Sequence, residues 1–451
     1  MQIRVDGWAW LNVGRWAPDD IEKLKSELSI LPRRDVRDKR PPKPVYCYRA
    51  EGDLLGIPRM HPLVHKFAKW GGIQSDTSAG LPINLKFNGE FRDDQETALN
   101  TFVGEFRDRD YWGGILKAPG GYGKTAWATQ LIATMGCTTL VLVNREFLMR
   151  QWRDEILSGH KDGSPFLPGA KVGFIQQDRC EFEGYDIAIA LVHSVASATR
   201  EYPPELYRWA GLLISDEVHS FGAPTWAPIA PKFSARYRVG LSATPRRKDG
   251  CADVFKWHIG DIIYQTDVSR MKGKVRRLFT NWRPSSRPGQ GVNDLPDYAL
   301  LRMMINSQAR NQVIIDELVK IIESGRNVFV FSSRRKHLEI LNTMLIAVKP
   351  DVVADFYVGR RSDAELSKAK CAQVIFCTFQ MASQALNVPK QDTGILATPM
   401  GDIEQVWYRI TRWVDGKKMP IMVDLIDDPS VTYFDNLWGA RKRVYRRMGA
   451  I

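Results

Sequence analysis

Gly113-Gly-Ile-Leu-Lys-Ala-Pro-Gly-Gly-Tyr-Gly-Lys-Thr-Ala-Trp127 is the stretch that decides the reading of this chain. Ile115 and Leu116 read as the end of a buried strand, and the apolar spacing from Ala126 onward opens a helix. Between them lies Ala118-Pro-Gly-Gly-Tyr-Gly-Lys-Thr125, a phosphate-binding loop. Its glycines let backbone N–H groups turn inward and phosphate oxygens approach without meeting a Cβ. Lys124 adds a point charge for the β- and γ-phosphates, and Thr125 offers a hydroxyl to Mg²⁺. The helix that follows aims its positive end at the same anion. A Gly-rich turn with a solvated lysine is the alternative, which the strand before and the helix after disfavour.

The 451 residues exceed one ordinary core and fit two or three domains. A hydrophobic content of 44% is that of a folded protein. No apolar run approaches the ~18 residues a membrane span needs, and the first residues lack a signal-peptide pattern, so a cytoplasmic protein is expected. The six cysteines (47, 137, 180, 251, 371, 377) form no CxxC pair and read as reduced thiols. Formal net charge is +13, which favours a polyanionic partner over a basic surface that binds nothing.

Residues 1–88 read as a small α+β accessory domain. Ile3, Val5 and Trp8 to Val13 suggest strands, and Asp19 to Leu28 a helix capped by Asp19 or Asp20. Arg33 to Pro44 is basic, broken by proline and expected to be exposed. Tyr46 to Arg49 and Leu54 to Arg59 could pair as a hairpin, and Gly71 to Gly80 looks like a linker. From Phe91 short β-rich runs alternate with amphipathic helices, which predicts a parallel α/β sheet. Strands are expected at 139–143, 187–192, 211–215 and 237–241. A second series is expected at 327–331, 352–357, 373–377, 393–397 and 420–425. The expected domains are therefore 1–88, 89–268 and 269–451.

Asp216-Glu-Val-His219 follows the run Leu212-Leu-Ile-Ser215. A strand-end aspartate beside a phosphate loop is placed to hold Mg²⁺, and the adjacent glutamate can polarise the attacking water. Alone the pair could equally be a helix cap. The next strand ends Ser242-Ala-Thr-Pro-Arg-Arg-Lys-Asp-Gly250.

This ordered set resembles the superfamily 2 helicases, with Ala118 to Thr125 as motif I, Asp216 to His219 as the DExH motif II and Ser242 to Thr244 as motif III. The extension to Gly250 looks like the branch shared by XPB-type translocases and the UvsW-like branch-migration helicases of tailed phages. The resemblance implies two RecA-like domains in tandem with ATP bound between them. It implies ATP and Mg²⁺ as cofactors, held by Arg92, Gln95, Pro119, Gly120, Gly121, Tyr122, Gly123, Lys124, Thr125 and Asn387, with Thr125 and Asp216 on the metal. Lys124, Asp216, Glu217, Gln405, Arg409 and Arg412 would carry catalysis. Nucleic-acid contact or coupling would fall to Asn144, Arg145, Gln151, His193, Ser194, His219, Ser242, Thr244, Arg247, Ser333, Arg334, Thr378 and Gln384. Apart from the family, Gln405, Arg409 and Arg412 stand at i, i+4 and i+7, a spacing that shares one helix face. Two guanidinium groups there could clamp a transferring phosphoryl.

Two positions depart from the family pattern. The stretch similar to motif V reads Gln384-Ala-Leu-Asn387, with amides for both usual carboxylates, and the one similar to motif VI, Gln405 to Arg412, carries Tyr408 where glycine is usual. Trp8, Trp10 and Trp16 read as core residues or as base-stacking ones. The segment Arg441 to Arg447 reads as phosphate-binding or as a solvated helix face. The resemblance implies a monomeric ATP-dependent DNA helicase that remodels branched DNA, in phage recombination or replication. An RNA helicase, a restriction-type translocase subunit and an ATP-gated nucleic-acid clamp are the alternatives.

Overall fold

The runs of Val, Ile and Leu that alternate with amphipathic helices become parallel strands buried on both faces, as such runs must when helices cover both sides. The computed structural model describes every residue except 1, 34–40, 92, 108, 160–162, 198, 223–226, 248, 267–270, 287, 385–387, 413 and 415. The chain divides into two compact units, 1–267 and 268–451.

The large sheet of the first unit has eight strands. From one edge they are Arg179–Cys180, Val172–Gln176, Ile187–Leu191, Thr139–Val143, Leu212–Asp216, Tyr237–Ser242, Trp112–Lys117 and Ile262–Gln265. All pair in parallel except the Arg179–Cys180 edge. The carboxyl ends of Trp112–Lys117, Leu212–Asp216 and Tyr237–Ser242 lie side by side, so Lys117 pairs with Ser242 and Asp216 with Leu241. That register brings the phosphate loop and the two acidic and serine motifs to one end of the sheet, where open α/β sheets bind ligands.

The second unit holds six parallel strands in the order Lys274–Phe279, Ile421–Ile426, Thr393–Leu396, Val328–Ser332, Val374–Thr378, Ala354–Tyr357. The strand Lys274–Phe279 lies in a stretch the sequence pattern leaves without structure. It is an edge strand rich in basic residues, which hides its period.

The N-terminal region is a mixed five-stranded sheet, ordered Arg49–Glu51, Leu54–Ile57, Ala9–Asn12, Ile3–Val5, Ile73–Ser75. Three expectations change here. The helix Pro18–Glu27 starts one residue early with Ala17 at its cap, because Pro18 suits a first-turn position that needs no N–H. The hairpin joins Arg49–Glu51 to Leu54–Ile57 through Gly52 at φ 57°, while Tyr46 pairs with Ser29 instead. The segment 71–80 is no free linker. Its backbone completes the sheet by pairing Ile73–Ser75 with Ile3–Val5, and Ser78 bridges Ala235. Polar side chains there face outward and disguise a paired strand.

This sheet shares a core with the nucleotide-binding half of its unit, since Ile3, Leu11 and Ile57 cluster with Tyr111, Cys251 and Val254. Two guanidinium groups, both fully buried, cross the seam. Arg59 donates to the carbonyls of Ala235 at 2.7 Å and Arg236 at 3.0 Å. Arg238 donates to Phe233 at 2.7 Å, His258 at 2.9 Å and Gly7 at 3.0 Å. Burial lowers the pKa of Arg59 to about 9 and that of Arg238 well below its usual value. Such charges persist there because carbonyls take most of their donors and Asp6 favours the charged form, although the Nε of each is buried without a partner.

Candidate active site

The phosphate loop leaves the strand at Lys117 and enters the helix Lys124–Met135 through Gly123, whose φ of 88° is the left-handed conformation glycine adopts freely. Gly121 takes φ 82°. A Cβ on Gly123 would stand 2.8 Å from Gln95 Nε2 and would have to displace that amide, besides straining the backbone at this φ. Lys124 Nζ donates to the loop's own carbonyls, Ala118 at 3.0 Å and Pro119 at 3.3 Å.

Gln95, 3% exposed on the helix Asp93–Phe106, donates from Nε2 to the carbonyl of Tyr122 at 2.6 Å. Tyr122 donates its hydroxyl back to the Asp94 carbonyl at 3.2 Å, and Tyr264 donates to the Asp94 carboxylate at 2.8 Å. The residues expected to read the base are thus tied to the residues expected to hold the phosphates. Arg92 lies outside the described residues.

Asp216 closes its strand and turns its carboxylate onto Trp152, whose indole Nε1 donates to Oδ2 at 2.9 Å. The other oxygen accepts from the Glu217 N–H at 3.0 Å. Burial first, and the charge of Glu217 second, push the Asp216 carboxyl up to about 6, against the opposing pull of Trp152 and Lys124. Glu217 sits at φ 50°, a strained position for a residue with a side chain. Its Oε2 is buried without a hydrogen-bond donor. A carboxyl held up by burial, an orphaned carboxylate oxygen and a cradle without side chains form a set that fits a nucleotide–Mg²⁺ complex. Asp216 and Thr125 would hold the cation, which would neutralise charge on the phosphates; Lys124 would meet the phosphates and Glu217 would orient and deprotonate water.

His219 continues from this pair. Its Nδ1 lies 3.1 Å from Ser242 Oγ and 3.4 Å from Glu217 Oε2. Ser242 Oγ also accepts from the Thr244 N–H at 3.1 Å. Burial lowers the His219 pKa more than the Glu217 carboxylate raises it, so the ring is neutral at pH 7 and can serve as donor or acceptor. The His219 carbonyl accepts from Arg247 Nη1 at 2.8 Å. Asn144 donates to Ser220 Oγ at 3.3 Å, and Ser220 donates to the Glu217 carbonyl at 2.6 Å.

The remaining expected contacts are more dispersed. Exposed Arg145 precedes the helix Glu146–Ser158, and Gln151 on that helix donates to Glu155 at 2.7 Å. His193 is exposed, whereas Ser194 is buried and accepts from the Gln177 N–H at 3.0 Å.

In the second unit, Ser333 N–H donates to Thr398 Oγ1 at 2.9 Å, and exposed Arg334 caps the helix Arg335–Val348. Thr378 ends its strand, and Gln384 ends the helix Phe379–Gln384. Asn387 lies outside the described residues. Gln405 and Arg409 stand on the helix Glu404–Ile410, and Arg409 Nε donates to the Ala382 carbonyl at 2.7 Å. Arg412 does not share their helix face. The helix stops at Thr411, whose hydroxyl turns back to the Trp407 carbonyl at 3.1 Å, and Arg412 lies beyond it. Lys417 Nζ instead grips the carbonyls of Arg412 and Pro389, each at 2.8 Å.

Tyr408 is buried, with its hydroxyl 3.3 Å from Glu404 and 3.8 Å from Met448 Sδ. The Tyr408 hydroxyl thus meets the residue that ends the C-terminal helix Thr432–Arg447. That helix divides its basic segment. Arg441 and Tyr445 are buried on Asp424, each at 2.8 Å, while Lys442, Arg443, Arg446 and Arg447 are not. Trp10 is buried on Asp6, and Trp8 and Trp16 keep part of their surface open.

In the first unit Trp152, Tyr264, Ser220 and Asp249 carry contacts that motif spacing does not reveal, as Lys417 does in the second. Trp152 and Asp249 had a signal, the one beside Gln151 in the stretch similar to motif Ia and the other in the extension after motif III.

Residues 88–247 match the family model described as "Type III restriction enzyme, res subunit". Protein L396 of Acanthamoeba polyphaga mimivirus, which carries the provisional name of ATP-dependent RNA helicase, is 24% identical over 92% of this chain and 79% of its own length. The DNA 3'-5' translocase XPB2 of Sulfurisphaera tokodaii is 30% identical over 46% of this chain and 45% of that protein. Among solved structures, Saccharomyces cerevisiae Dbp5 bound to RNA and ADP BeF3 aligns at TM-score 0.53 and 13% identity, covering 80% of this chain and 88% of that one. This last likeness is one of fold.

Proposed function

We propose that this chain, an ATP-dependent superfamily 2 helicase of the DExH type, acts on DNA and remodels branched substrates, driving fork regression or junction migration. The observation that supports it most is the docking of the N-terminal sheet. Arg59, Arg238 and a shared apolar core fix it to the nucleotide-binding half within one compact unit, so it is not a tethered module. A motor that pulls one arm while a fixed body restrains another exchanges base pairs instead of only melting them. Such exchange is nearly balanced, because pairs formed replace pairs broken. Arg33, where the basic stretch begins, donates its N–H to the Asp249 carbonyl at 2.8 Å, so that stretch starts beside the motif III extension. Its phosphate contacts would set register without reading sequence. The similarity to a DNA translocase over 216 residues agrees with a DNA track.

An RNA substrate is the second reading, favoured by the name of the mimivirus relative. The test of the motor assignment is a movable four-way DNA junction with parent, Lys124→Ala and Glu217→Gln proteins. The parent should resolve the junction only with ATP and Mg²⁺. Both variants should bind it and leave it unmoved. Migration by either variant would refute the assignment.

A further inference from the structure

A groove of about 740 Å³ opens where the N-terminal sheet meets the nucleotide-binding half. Its aromatic lining is Trp8, Trp10, Tyr46, Tyr48 and Tyr207. Tyr46 is 58% exposed and stands edge-on to Tyr48 with ring centroids 5.9 Å apart. Four cations, Arg4, Arg49, Arg208 and Lys232, line the same groove. Three of them rest on carboxylates: Arg4 on Asp6 at 3.8 Å, Arg49 on Glu51 at 2.6 Å and Arg208 on Asp76 at 2.8 Å. These arginine side chains are each 46–62% exposed. Pairs of that kind are weak in water and yield readily to another anion.

The groove's place in the topology separates it from the motor site. Tyr207 and Arg208 come just before the strand Leu212–Asp216, and Ser234 just before Tyr237–Ser242. It therefore opens at the amino ends of the strands whose carboxyl ends carry Asp216 and Ser242.

We infer that this groove is a second nucleic-acid site that takes a short unstacked single strand, with bases on the aromatic rings and phosphates on the arginines. The inference deepens the nucleic-acid reading above and rests on it. Its volume falls within the ~300–1,000 Å³ typical of sites for small organic groups, and so admits nucleotides but no duplex. Flat aromatic surfaces interleaved with cations suit every base alike, because each base has a π face. The local carboxylates leave little net positive charge, so stacking dominates and binding here depends weakly on salt. A branched substrate with one displaced strand would offer such a segment.

Two measurements on the full chain test the site. The first is photo-crosslinking to a short 5-iodouracil oligonucleotide, in DNA and RNA versions, with the attached peptides mapped by mass spectrometry. Attachment at Trp8, Tyr46 or Tyr48 is expected. The second is equilibrium binding of a fork bearing one single-stranded arm by the double variant Tyr46→Ala, Tyr48→Ala. Stacking worth ~1–3 kcal/mol per base predicts a loss of at least ~5-fold. Turnover at saturating long single-stranded DNA should stay at the parent's rate. Crosslinks confined to the motif-bearing peptides, or binding unchanged in a variant with the parent's melting temperature, would overturn the inference. Crosslinks at the groove by RNA alone would uphold it while refuting the DNA reading. Groove crosslinks by DNA without junction migration would uphold it while refuting branch remodelling.

Discussion

Arg247 donates from Nη1 to the backbone carbonyl of His219 at 2.8 Å, while its Nε holds the Asp249 carboxylate at 2.9 and 3.1 Å. The extension after motif III is thereby fastened to motif II, and the Asp249 carbonyl in turn accepts from Arg33 of the N-terminal region. A continuous set of contacts runs from the basic stretch to the residue beside Glu217.

Arg247→Ala should therefore cut the communication and leave the chemistry. Basal ATP turnover should stay within a few-fold of the parent, and its stimulation by DNA should fall about 10-fold or more. Steady-state rates with and without saturating DNA decide this. Undiminished stimulation would mean that these contacts only stabilise the loop.

Lys417 holds the carbonyl of Arg412 at 2.8 Å, and burial lowers its pKa to about 8. Lys417→Met should lower kcat and leave nucleotide affinity nearly unchanged, in the manner of Arg412→Ala, because Arg412 would act in the transition state. The double variant should be no worse than Arg412→Ala alone. Additive losses would place Lys417 in a separate role.

Arg59 and Arg238 fix the N-terminal sheet to the nucleotide-binding half. Arg238→Ala takes the donor from the buried carbonyls of His258, Gly7 and Phe233, at ~1–3 kcal/mol each, while Arg59→Ala does so for the buried Ala235 carbonyl and leaves that of Arg236 with the Trp112 N–H. Urea midpoints should shift down by an amount worth at least ~2 kcal/mol in Arg238→Ala and ~1–3 kcal/mol in Arg59→Ala. Removal of residues 1–88 should likewise destabilise what remains, since it strips Tyr111, Cys251 and Val254 of their apolar cover. A truncated chain as stable as the parent would contradict the shared core.

Burial, with arginine charges second, holds the pKa of both His258 and His337 down at about 3. Their unfolded value is ~6.5, so below it the unfolded chain binds more protons. The stability they contribute is complete above pH 6.5 and is lost as pH falls toward 3. Each histidine should add up to ~1.4 kcal/mol of loss per pH unit in that window. Urea midpoints from pH 7 to 4 should fall less steeply in His337→Gln, whose amide can still meet Ser332 and Asn311. An unchanged slope would show that other groups govern acid lability.

The buried parallel strands and the motif order were legible in the sequence, because both depend on local pattern. Ile115, Ile214 and Val239 announce central strands by their apolar runs, and the glycines of the phosphate loop announce φ values that other residues avoid. What could not be read depends on long-range pairing. The polar segment Ile73–Ser75 is a strand because Ile3–Val5 supplies its partner. Trp152 reaches Asp216 across 64 positions, and Arg238 reaches Gly7 across 231. The spacing of Gln405, Arg409 and Arg412 suggested one helix face, but a helix end at Thr411 divides them. Periodicity carries no signal for where a short helix stops.

The central claim is that the motor acts on branched DNA. Its most direct test is ATP-dependent remodelling by the parent protein of a movable DNA fork, a linear DNA duplex of the same length and the matching RNA fork, side by side. The account predicts that the DNA fork is regressed at least ~10-fold faster than the linear duplex is unwound, with the RNA fork slower still. Equal rates on forked and linear DNA, or a faster rate on RNA, would contradict it.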